Sequence, residues 1–184
     1  MRRRRAIVTL LALALCAAAC QQTPVSEAER EMLLRADDLA AYGFELPEAR
    51  AHESFTKTVY FDGSADVEYE FEPPDSALYM SVTVTFEKQV SDALISKGIE
   101  KSALQVGIGI GGLKLEEKRD FFGYGDESSF YTLTKDGRPV GNFFITREGA
   151  KVYSIVIVGA YFEDSEEWAA LVTPRLQKFS AHKP

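Results

Sequence analysis

Cysteine and histidine are scarce in this chain. Its 184 residues include two Cys, two His and one Trp. Two Cys exclude the disulfide-dense scaffolds that small exported domains use. His52 and His182 are too far apart in sequence to suggest a zinc ligand set or a general-base constellation. Positive charge is short as well: 21 Lys and Arg stand against 28 Asp and Glu, for a net charge of −7. Nucleic-acid binders carry a basic patch, and this balance argues against one. The apolar run near the N-terminus falls short of the ~20 residues that span a bilayer. There is no Gly-x-Ser-x-Gly elbow, so no classical hydrolase signature is present, and there is no internal repeat. What remains, 46% hydrophobic and 27% charged, suits one ordinary globular domain. No catalytic residue, cofactor or metal is expected.

The N-terminus says where the chain goes. Arg2 to Arg5 form a dense positive block, and Ala6 to Leu15 follow, apolar except for Thr9. Cys16-Ala17-Ala18-Ala19-Cys20 come next. A basic block, a short apolar run and small residues before a cut site make a secretory signal. Ala17-Ala18-Ala19-Cys20 resembles the lipobox of bacterial lipoproteins. That resemblance implies cleavage just before Cys20 and lipidation of its thiol, which would give a membrane anchor. Ala17 stands where the family prefers Leu, and the alternative is an ordinary cleaved signal with an incidental Cys. Gln21, rather than Asp, implies the outer membrane within a Gram-negative cell envelope, with the domain facing the periplasm or the surface. Residues 1–19 are thus read as a signal peptide, 20–25 as a lipidated polar tether and 26–184 as one domain. Cleavage removes four arginines, so the working chain is four charges more acidic than its precursor. It also leaves one Cys, so no internal disulfide is expected.

Periodicity predicts the elements. Ser26 and Glu29 have capping-box spacing and open a helix carrying Met32, Leu33, Leu34 and Leu39. Asp37-Asp38 restart it and Gly43 stops it. Phe55, Lys57, Val59 and Phe61 alternate with Thr56, Thr58 and Tyr60 up to an Asp62-Gly63 turn. Asp66, Glu68, Glu70 and Glu72 then alternate with Val67, Tyr69 and Phe71, which puts four carboxylates outward. Leu78 to Phe86 alternates again. Residues 91–104 read as helix, and Leu113 to Leu115 as extended. A meander follows at 129–134, 139–146 and 151–159. Val152 to Val158 is nearly all apolar, as in a central strand covered on both faces. Asp164 caps a closing helix through Trp168, Leu171, Val172, Leu176 and Phe179, which Pro174 should kink. The expected fold is α+β: a mostly antiparallel sheet of about six strands with N-terminal, middle and C-terminal helices.

This order of elements resembles the PsbP-like and DcrB-like group of extracytoplasmic domains. Gly125-Asp126-Glu127-Ser128, followed by the Arg147-Glu148-Gly149 turn, resembles a short motif of such sensor and lipoprotein domains. The resemblance implies binding or docking roles rather than catalysis.

Three features invite a site. Gly107 to Gly112 formally spells G-x-G-x-x-G, but it follows a helix instead of a strand, so it reads as a connection. Asp66, Glu68, Glu70 and Glu72 form either a solvated acidic face or a docking surface for a basic partner. A single strand cannot supply the oxygen shell of a Ca²⁺ ion unaided. Lys57 is a candidate neighbour that would offset their repulsion. Phe121, Phe122 and Tyr124, with Asp126 and Glu127, would line a pocket, form a contact loop or plug one end of the core. The function expected is a membrane-anchored envelope lipoprotein with a non-catalytic partner- or ligand-binding domain. An immunity or inhibitor lipoprotein facing a toxin or enzyme is the alternative. An unrecognised envelope hydrolase is the third.

Overall fold

Alternation along the strands puts Val67, Tyr69 and Phe71 on the same face as Met80, Val82 and Val84, all buried. A computed structural model describes residues 20–44, 46, 52–74, 76–90, 93–99 and 112–183 of the chain. Its strands are β1 (Cys20–Gln22), β2 (Glu53–Tyr60), β3 (Ala65–Phe71), β4 (Tyr79–Phe86), β5 (Leu113–Glu117), β6 (Glu127–Lys135), β7 (Arg138–Glu148) and β8 (Lys151–Val158). They form one antiparallel sheet in the order β1-β2-β3-β4-β8-β7-β6-β5. The helices are α1 (Glu27–Met32), α2 (Ala36–Ala40) and α3 (Ser165–Ala181), with a further helical stretch at residues 94–99. The fold is therefore α+β with a mostly antiparallel sheet, but with eight strands where the sequence suggested about six.

At the edges, β5 falls on the short extended piece expected at Leu113 to Leu115, whereas β1 was not expected as a strand. Residues 20–22 were read as part of a polar tether. They form β1 instead, with Cys20 opposite Tyr60, Gln21 opposite Val59 and Gln22 opposite Thr58. An edge strand with no apolar alternation looks like linker in sequence, because its pairing partner lies far along the chain. The short β5 pairs with β6 at the opposite edge. Residues 1–19, expected to be a signal peptide, Gly107 to Gly111, and residues 91, 92 and 100–104 of the expected middle helix lie outside the described residues.

Two meanders, β1–β4 and β5–β8, join through the central β4–β8 pair, where Tyr79 faces Val158 and Phe86 faces Lys151. Each face of the sheet is apolar there. One face packs against α1, α2 and α3, with Trp168, Leu171, Val172, Leu176 and Phe179 of α3 buried among Phe130, Phe144, Tyr153, Ile155 and Ile157. The other face carries Leu133, Phe143, Ile145, Val152, Val156 and Val158 against Leu94 and Ile95. β8 thus contributes to both cores, as its unbroken apolar run implies. Each large side chain so buried contributes about 1.5–3 kcal/mol.

Local signals place the helices. Glu29 accepts from the Ser26 N–H at 2.7 Å, and the Glu29 N–H donates to the Ser26 hydroxyl at 3.3 Å, which closes the capping box. Asp164 accepts from the Glu166 and Glu167 N–H groups at the start of α3. Pro174 lies inside α3, which continues through it to Ala181, so the helix does not restart there. The hydroxyl of buried Tyr153 donates to the Met32 carbonyl at 2.9 Å and accepts from the Leu34 N–H at 3.0 Å. That pair of bonds ties the α1–α2 link to the central strand.

Candidate functional site

The candidate residues of the sequence do not converge on one place. In β3, Asp66 is buried, Glu68 is half-buried and Glu70 is exposed, as is Glu72 just past the strand's end. Asp66 accepts from the Tyr60 hydroxyl at 2.8 Å and from the Thr85 hydroxyl at 2.6 Å. Strict alternation marked it as solvated. Its partners stand on the two flanking strands, which sequence spacing does not reveal. Glu68 accepts from Thr56 at 3.4 Å, and Glu70 from the Tyr79 hydroxyl at 3.2 Å. Burial, then the Glu70 charge, pushes the Tyr79 hydroxyl up to about 12. Lys57 does not offset the row, because its ammonium meets Glu29 of α1 at 2.5 Å. The acidic row is therefore split: one buried, hydrogen-bonded carboxylate and a shorter exposed stretch at Glu70 and Glu72. Among the described residues no group of His, Cys, Asp or Glu is arranged to hold a metal ion.

The aromatic loop turns inward. Phe121 stacks on Phe130 with ring centroids 4.1 Å apart, and Phe122 meets Phe144 edge-on at 5.2 Å. Tyr124 shares a 2.8 Å hydrogen bond with Ser180 of α3. Of the readings open for this loop, the core plug matches these contacts.

Asp126 and Glu127 work on the neighbouring turn. The Gly149 N–H donates to the Asp126 carboxylate at 2.7 Å, while Arg147 lies 3.6 Å from Asp126 and 3.5 Å from Glu127. Gly125 has φ +68, and a Cβ there would overlap the Arg147 carbonyl. The Gly-Asp-Glu run and the Arg-x-Gly turn are thus two halves of one backbone clasp, well separated in sequence but adjacent in the sheet.

Among the described residues a larger cavity lies elsewhere, at the end of the sheet opposite the β2–β3 turn. There β3 and β8 finish, β2 and β4 begin, and the β6–β7 hairpin closes. Pro73 and Pro74 stop β3 because neither can donate to a ladder. Gly159, at φ +87, lets the chain leaving β8 pass against Ala77, where a Cβ would strike the Ala77 carbonyl. The resulting groove measures about 770 Å³. Leu78, Tyr79, Leu113, Val140 and Val158 supply apolar surface, and His52, Glu72, Lys135 and Tyr161 bring polar groups to it. That size and mixture match small-ligand and peptide sites, which are concave, mostly apolar and carry a few polar groups.

Comparison with protein families, with curated proteins and with solved structures found no match for this chain.

Sequence reasoning missed the groove, since its wall comes from points as distant as His52 and Tyr161. The one local signal was Pro73-Pro74, read only as a strand stop. Of the sequence's candidates, Glu72 alone lines it. A second, smaller cavity of about 420 Å³ runs past Asp66, between Tyr60, Thr85, Leu94 and Lys97. It is more enclosed by charge, and its Asp66 is already committed to Tyr60 and Thr85.

Proposed function

We propose that this chain is an envelope lipoprotein, anchored through Cys20, whose domain binds a partner or ligand in the 770 Å³ groove without catalysing a reaction. The groove is the observation that carries the binding half of this reading. Its apolar wall can take up a hydrophobic side chain or acyl segment, at ~25 cal/mol for each Å² removed from water. Lys135 and Glu72 at the same site can orient a polar end of either sign. The anchor half rests on the basic block, the short apolar run and the small residues before Cys20. No helix of the described residues is long and apolar enough to cross a membrane.

The binding half is tested with the domain beginning at Cys20. An apolar dye such as N-phenylnaphthylamine should brighten with the parent protein, and Val140→Glu with Leu113→Glu should cut that binding tenfold or more. A photo-crosslinking residue at Lys135 should capture a discrete envelope component, while the same group at Glu166 on α3 should not. Equal dye binding by parent and variant, together with equal crosslinking from both positions, would sink the groove as the site. Radioactive palmitate should label the parent, and Cys20→Ser should abolish the label.

Exposed Glu70 and groove-lining Glu72 favour a second reading, in which the partner is basic, as for an immunity or inhibitor protein. Reversing both charges should then slow association and flatten its salt dependence. An unchanged on-rate excludes that reading.

A further inference from the structure

The end of the sheet opposite the groove carries a feature that neither the groove nor the cores use. Among the described residues, the large apolar side chains left exposed are Phe61, at 91%, and Val90, at 60%. Both lie at the same end. Phe61 begins the β2–β3 turn, and Val90 lies in the segment leaving β4, whose last residue, Phe86, pairs with Ala65. Gly63 and Lys88 bring the two loops together, since a Cβ on Gly63 would overlap the Lys88 side chain.

Phe61 is held outward by a braced turn. The Gly63 N–H donates to the Tyr60 carbonyl at 2.8 Å, and the Tyr60 N–H to the Ser64 carbonyl at 2.9 Å. The Ser64 N–H and hydroxyl both donate to Asp62, at 2.9 and 2.6 Å. These bonds fix the backbone of the turn that presents the Phe61 ring to solvent. Leaving it in water is unfavourable unless something apolar covers it.

β1 decides what covers it. Cys20 pairs with Tyr60, the residue immediately before Phe61. Paired strands keep facing Cα atoms ~4.5–5.5 Å apart, so Phe61 starts within about 10 Å of the Cys20 backbone. We infer that Phe61 and Val90 form a bilayer-contacting tip, seated in the lipid interface beside the acyl chains of Cys20. This inference rests on the lipoprotein reading and adds an orientation to it. The pairing of β1 leaves almost no free tether between Cys20 and the sheet, so lipid at Cys20 would bring this end of the domain onto the membrane. Asp62 and Lys88 lie together at the tip with opposite charges, so the contact is hydrophobic and does not need anionic lipid.

The test uses the full chain, exported and processed by its host and reconstituted into phosphatidylcholine vesicles. Trp168 is fully buried and gives a constant background. Phe61→Trp, and separately Val90→Trp, should shift their added emission to the blue. Lipids brominated near the headgroup should quench both at least twofold, and 1 M salt should leave the quenching unchanged. Glu166→Trp, on the exposed start of α3 at the groove end, should emit as in water. The mass of the mature protein reports separately whether Cys20 carries lipid. Lipidated protein whose Phe61→Trp and Val90→Trp emission stays water-like overturns the tip and leaves the lipoprotein reading standing. Mature protein without lipid on Cys20 overturns both.

Discussion

Glu29 shows how one residue can serve two elements. It closes the N-terminal cap of α1 through Ser26 and reaches across to Lys57 on β2 at 2.5 Å. Burial pushes its carboxyl up, but the bonds from Lys57 and Ser26 outweigh that, and the net shift is downward. The folded state therefore holds this proton less tightly than the unfolded chain does. The associated stability is present above about pH 4.5, the ordinary value, and is lost as pH falls through the lower folded value. Urea titrations of the parent from pH 6 to pH 3 should show stability falling with acid, and Glu29→Gln should make that fall shallower. Lys57→Met should cost about 3 kcal/mol at pH 7, because it strips a buried carboxylate of its cation. An identical acid slope for parent and Glu29→Gln would show that the pair carries no pH dependence. The capping half of this arrangement was legible in Ser26 and Glu29, three residues apart. The ion-pair half was not, because nothing local links position 29 to position 57. Asp66 follows the same rule: its period said solvent, and Tyr60 and Thr85 on the flanking strands said otherwise.

Among the elements, β7 and β8 leave no room for a side chain at Gly141. A Cβ there would overlap the Ile157 carbonyl and meet the Val158 backbone at 2.9 Å. Both obstacles are main chain within a paired strand, so they cannot swing aside as a side chain would. Gly141→Ala should destabilise the domain by at least about 2 kcal/mol, well beyond the usual gain from Gly→Ala at permissive sites. Thermal unfolding checks it, and an unchanged midpoint would mean that the ladder yields. Elements that alternate or run apolar were legible in the sequence, among them β3, β4, β8 and the apolar face of α3. Their signal is burial itself. β1 and the groove were hidden for the opposite reason. An edge strand is paired on one side only, so its composition is free to be polar. The groove is a gap between element ends, where no periodicity exists to read.

At the scale of the whole molecule, the two cores share the same sheet and the same central strand. Tyr153, Ile155 and Ile157 face the helices, while Val152, Val156 and Val158 face the opposite cluster. Neither core can come apart without exposing the back of the other. Leu176→Ala on the helix side and Leu133→Ala on the far side each empty a fully buried position. Each should cost about 2–5 kcal/mol. Both variants should still unfold in one transition, with near- and far-ultraviolet circular dichroism midpoints coinciding. Separated midpoints in either variant would mean that the halves fold independently.

The two edges of the sheet differ from its interior strands in what they offer a neighbour. An antiparallel sheet stops growing only where its outer strands refuse another partner. Here one outer strand, β1, has three residues. The other, β5, has five, with Lys114, Glu116 and Glu117 exposed along it. A second copy offering its own edge would gain few ladder bonds at β1 and would meet a charged border at β5. The short β1 and the charged β5 thus give the sheet two edges that offer little to strand-to-strand pairing with another copy.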